Sequence, residues 1–85
     1  MLPKVKLASP DGLEAKAYAA IADIPTLEPN DRNRLGYHVY LFLNKECATL
    51  REAVHVAQAR MRISDDEAFT RIAASLREEG FTVDA

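Results

Sequence analysis

The chain is poor in cysteine, histidine, glycine and tryptophan, and it has no apolar run near the ~20 residues that cross a bilayer. Each shortage excludes something. A lone Cys47 cannot close an intramolecular disulfide, and secreted scaffolds of this size usually carry several cysteines, so a reducing, cytoplasmic setting is expected. Residues 1–9 show no secretory apolar core, which points the same way, and no membrane role is expected. The two histidines, His38 and His55, and Cys47 are scattered without the spacing of a zinc site or a nucleophile–base pair. No catalytic residue, metal or cofactor is therefore expected. The three glycines stand alone at positions 12, 36 and 80, so no phosphate-cradling loop exists and no small-molecule substrate is evident. Neither sign of charge prevails: eleven basic against thirteen acidic side chains leave a formal charge of −2. Without a global positive field, any contact with nucleic acid has to be local.

What is present is the balance of an ordinary folded domain. Of the 85 residues, 48% are hydrophobic and 28% charged, far from the profile of disorder. A chain this short holds one core, so residues 1–85 are read as a single domain. Ser9-Pro10-Asp11 reads as a helix start: a hydroxyl cap, a proline at the first position and an acid in the positive first turn. Leu13, Ala17, Ala20, Ile21 and Ile24 then recur at three and four residues, predicting a helix to about Ala22. Pro25 and Pro29 bracket a connecting loop, after which Asn30 or Asp31 can cap a segment from Arg32 to Lys45.

Inside that segment, residues 37–43 are the most apolar part of the chain. As a helix they offer Val39, Phe42 and Leu43, with Leu35, to a core. As a strand they place Tyr37, Val39, Leu41 and Leu43 on one face. The later starts are clearer, because Thr49-Leu50-Arg51-Glu52 and Ser64-Asp65-Asp66-Glu67 both match the capping box, predicting helices at 49–62 and 64–79. Their buried stripes would be Leu50, Val54, Ala57 and Met61, then Ala68, Phe69, Ile72 and Leu76. Gly80 is placed to end the last helix. The expected fold is an all-α bundle of three to four short helices. The alternative is α+β, with a strand at 37–43 and short terminal strands from residues 4–7 and 81–83.

Two surfaces are candidates for function. On a helix spanning 49–62, Arg51, His55, Gln58 and Arg62 fall at i, i+4, i+7 and i+11, a row opposite the core stripe that could follow a phosphate backbone. Arg32 and Arg34 could extend it if the helices pack antiparallel. A helix at 37–43 would be apolar almost all round, so Tyr37, Tyr40 and Leu41 would remain to be covered by a second copy or another protein. The carboxylate cluster at Asp65, Asp66 and Glu67 suits a helix dipole better than acid/base chemistry.

Leu50, Ala53, Val56, Ala59 and Arg60, followed by Ile63-Ser64, Glu67-Ala68-Phe69 and Ile72, resemble the ANTAR domain, an RNA-binding three-helix module of bacterial antitermination regulators. The resemblance covers residues 50–72 and departs from the family's pattern at His55 and Gln58. It implies RNA-hairpin binding and control of transcription termination. The residues themselves favour a small non-enzymatic regulatory or adaptor protein that binds a protein partner or forms a homodimer, with RNA binding as the alternative.

Overall fold

The computed structural model describes residues 12–25 and 27–83. These form four helices, α1 (Leu13–Ala20), α2 (Pro29–Leu43), α3 (Leu50–Ala57) and α4 (Asp65–Glu78), with no strand among the described residues. Residues 37–43 are therefore helical, and residues 81–83 are irregular, with Val83 buried in the core. The cap expected at Ser9 and the strand at 4–7 lie outside the described residues.

Local chemistry explains most boundaries. Thr49 Oγ1 accepts the Glu52 N–H at 3.0 Å and Ser64 Oγ accepts that of Glu67 at 3.1 Å, so both hydroxyl caps form where the four-residue motifs place them. Pro29 is the first residue of α2 rather than part of the preceding loop, because a helix's first N–H is unpaired in any case and proline lacks one. At the far end of α4, Gly80 takes φ 100°, a conformation that side chains resist. It allows Phe81 N to reach Leu76 O at 3.0 Å and Gly80 N to reach Arg77 O at 3.0 Å, closing the helix.

One boundary departs from expectation. The third helix ends at Ala57 instead of continuing to residue 62, because Gln58 turns left-handed at φ 52°. Residues 58–63 form an irregular linker that lets α4 fold back on α3. Gln58-Ala59-Arg60-Met61-Arg62 are all strong helix formers, so tertiary packing overrides propensity here. Met61 is accordingly half-buried in the linker and not part of a helical stripe.

Each helix packs on the next, and α4 closes back on α1. One core joins them: Ala17, Ile21, Leu35, Val39, Leu50, Val54, Ile72 and Leu76 are almost fully buried. Leu35, Val39 and Leu43 supply the inner stripe of α2, while Phe42, expected beside them, is half-buried at its edge. The inner side of α1 is mostly alanine, which brings α2 close; Gly36 of α2 lies directly against the Tyr18 ring of α1.

Candidate functional site

The outer side of α2 follows from its inner one. With Leu35, Val39 and Leu43 turned inward, the helical period turns Tyr37 and Leu41 away from the core and Tyr40 toward its margin. Tyr37 is 53% exposed, while Tyr40 and Leu41 are half-buried. The Tyr37 ring meets that of Tyr40 at 6.5 Å between centroids, and the His38 ring edge-on at 5.7 Å. These contacts lie within the range for favourable aromatic pairs, so the rings hold each other in place. His38 is half-buried in this group. All three residues expected on an interaction surface are thus brought together on one side of one helix.

The row expected at Arg51, His55, Gln58 and Arg62 does not form. Only Arg51 and His55 lie on α3; Gln58 is its left-handed cap and Arg62 sits in the linker beyond. Arg51 and His55 stay exposed, and the linker returns the acidic first turn of α4 beside them. Arg51 Nη1 pairs with Asp66 Oδ1 at 2.5 Å, and the guanidinium lies 4.2 Å from the centre of the Phe69 ring. His55 Nδ1 lies 3.8 Å from Asp65 Oδ2. The acids that sequence assigns to the helix dipole also answer the basic residues of α3. Arg32 and Arg34 do not extend a row: Arg32 donates to Leu27 O at 3.4 Å, and Arg34 Nη1 pairs with Asp31 Oδ1 at 3.2 Å.

Sequence reasoning missed a groove of about 600 Å³ lined by Glu28, Asn30, Asp31, Arg34, Arg60 and Met61. It arises where the linker passes the first turn of α2, a juxtaposition of residues about 30 positions apart that no local pattern announces. The side chains of Arg60, Arg62 and Lys45 make no hydrogen bond or ion pair among the described residues. Asp31 is buried and held by Arg34.

Cys47 is half-buried between α2 and α3, its Sγ 4.0 Å from His38 O. Burial pushes its thiol pKa up, and the negative charges of Glu52 and Glu46 add to the shift, the opposite of what activates a nucleophile. No group of three potential metal ligands occurs among the described residues, and no helix there is long and apolar enough to cross a membrane. No family model, curated protein or solved structure matches the chain. Function is therefore read from the geometry of the side chains.

Proposed function

We propose that the chain is a small non-enzymatic regulatory or adaptor domain that binds a protein partner, or a second copy of itself, through the outer face of α2. The observation that carries this reading is Tyr37, a large ring kept more than half exposed in contact with Tyr40 and one turn from Leu41. Tyrosine supplies broad apolar contact area with a polar tip at low conformational cost, which is why it is enriched at protein interfaces. The suppressed Cys47 thiol and the placement of His38 and His55 on different helices favour a binding role over a catalytic one.

Quantitative affinity capture from the native cell, with wild type beside Tyr37→Ala and Leu41→Ala, tests the reading. A specific partner retained by wild type and depleted in both variants is the expected result. Light scattering on the same proteins covers self-association. A wild-type monomer whose captured proteins match those of the variants would refute it.

RNA binding has narrower support, in the cations Arg60 and Arg62 of the α3–α4 linker, whose side chains are unpaired among the described residues. On that reading, binding to structured RNA weakens steeply with salt and falls further in Arg62→Ala. Unchanged affinity in that variant would remove it.

A further inference from the structure

Gln58 ends α3, yet nothing in the chain around it requires an end. Between Ala57 and Ser64 there is no glycine or proline, and residues 58–62 are all strong helix formers. Gln58 nevertheless holds φ 52°, a left-handed conformation that strains a residue with a long side chain. The break serves packing: it folds α4 back onto α3 and α1.

Two apolar patterns run across the break. Leu50, Val54, Ala57, Met61, Ala68, Ile72 and Leu76 follow one another at steps of three, four or seven, so on an unbroken helix the core sides of α3 and α4 form one stripe. Val56, Ala59 and Ile63 fall at i, i+3 and i+7 on the opposite side. Val56 is 44% exposed in the folded chain, and only an unbroken helix lines it up with Ala59 and Ile63.

We infer that the chain exchanges α4 between two copies: residues 50–78 become one continuous helix in each, and α4 of each copy packs on α1 and α3 of the other. The contacts of α4 re-form between copies, so exchange removes none of them. They include Arg51 with Asp66 and Phe69, Lys16 with Glu79, Arg71 with the Asp23 carbonyl, and the buried Ile72 and Leu76. What changes is the hinge. The strained turn at Gln58 is relieved, helical hydrogen bonds through residues 58–64 replace the Ser64 cap, and Val56, Ala59 and Ile63 of the two long helices meet across the two-fold axis. Glu52 and Glu67 bound that stripe, so the helices cross at the hinge instead of running side by side, which would set like charges together. Association costs translational freedom, so the monomer prevails when dilute and the exchanged dimer when concentrated. The outer face of α2 plays no part in the exchange, and each dimer presents two of them.

The test refolds the full chain from urea at millimolar concentration and follows light scattering on dilution. Wild type is expected to give a slowly dissociating dimer with more helix by circular dichroism than the monomer. Gln58→Ala favours helix through the hinge and Gln58→Gly favours the turn, so their dimer dissociation constants should differ by about a hundredfold or more, with wild type between them. Val56→Lys should weaken the dimer about tenfold and leave unfolding of the monomer unchanged, since Val56 is outside the core. Spin labels at Arg51→Cys and Asp66→Cys, in a Cys47→Ser background diluted into unlabelled chain, read the hinge directly. The close pair of the monomer should move to about 22 Å in the dimer, fifteen residues of helical rise. A chain that stays monomeric after this treatment overturns the exchange. So does a dimer that keeps the close label distance, or one that forms equally in the Ala and Gly variants. A dimer indifferent to Gln58 and lost in Leu41→Ala belongs to the α2 face instead.

Discussion

Gly36 of α2 lies against the ring of Tyr18 in α1, so closely that a methyl group built on Gly36 would fall 2.6 Å from Cδ1 and 2.8 Å from Cζ and would also strike Cε1. The Tyr18 hydroxyl donates to Asn33 O, one turn earlier on α2, at 3.3 Å. Ring and hydroxyl together set how α1 crosses α2, and so where the outer face of α2 points.

Gly36→Ala is expected to destabilise the fold by about 1–3 kcal/mol, because the crossing has no room for the methyl group. In a Tyr18→Ala background the same change should be neutral or stabilising by up to about 1 kcal/mol, since alanine is the better helix former. Urea unfolding of the four proteins in the cycle measures the reversal. Destabilisation of equal size in both backgrounds would mean that the ring does not set the crossing.

Gln58 holds a left-handed conformation that costs a side-chain-bearing residue roughly 1 kcal/mol or more. Gln58→Gly should therefore raise stability by about 0.5 kcal/mol after its greater freedom when unfolded is counted. Gln58→Val should lower it. Thermal unfolding followed by circular dichroism reads both, and a loss in the glycine variant would place the end of α3 elsewhere.

Thr49→Ala and Ser64→Ala each remove the acceptor of a helix's first N–H groups and should cost about 1 kcal/mol apiece. If either loss is below a few tenths of a kcal/mol, the cap at that helix contributes nothing.

Arg51→Ala loses both the Asp66 pair and the contact with the Phe69 ring. The ion pair is largely solvated, with Asp66 84% exposed, so it contributes little, whereas Phe69 is buried. A loss of about 0.5–1 kcal/mol, mostly retained at high salt, is expected. Complete suppression of the difference by salt would assign it to Asp66 instead.

Alkaline pH should weaken the fold through two groups. Burial raises the pKa of Tyr18 above its usual 10.0, with Glu14 adding to the shift, and burial raises that of Cys47 above 9.0, with Glu52 and Glu46 adding to it. Both groups hold their protons more tightly when folded than when unfolded. Their contribution is complete below the unfolded values and is lost as pH rises through the folded ones. Stability should therefore fall beginning near pH 9, and Cys47→Ser with Tyr18→Phe should flatten that decline. Alkylation of Cys47 at pH 8 should also run slower than that of a free thiol. A thiol that reacts as fast in the folded chain as in the unfolded one would contradict the shift.

How much was legible in the sequence varies from element to element. The two capping motifs located α3 and α4 at their starts to the residue, since a cap is a hydrogen bond between positions three apart. The period of apolar residues identified the core side of α4 apart from Ala73: Ala68, Phe69, Ile72 and Leu76 are all buried. Residues 37–43 read as helix with strand as the alternative, because their aromatic and β-branched content also suits a strand. The α2 face was legible once the helix was assumed, since Tyr37 and Leu41 must then lie opposite Val39 and Leu43. The row on α3 was misread because helix propensity continues through residue 62 while the chain does not.

By itself, then, the sequence determined what neighbours along the chain can settle: the caps at Thr49 and Ser64 and the apolar stripe of α4. Tertiary structure alone decided the break at Gln58, the capture of Arg51 by Asp66 and Phe69, and the seating of Tyr18 on Gly36. The physical reason is range. Caps and stripes arise from interactions within one or two turns, whereas these three arise when packing brings together segments whose separation in the chain no local propensity records.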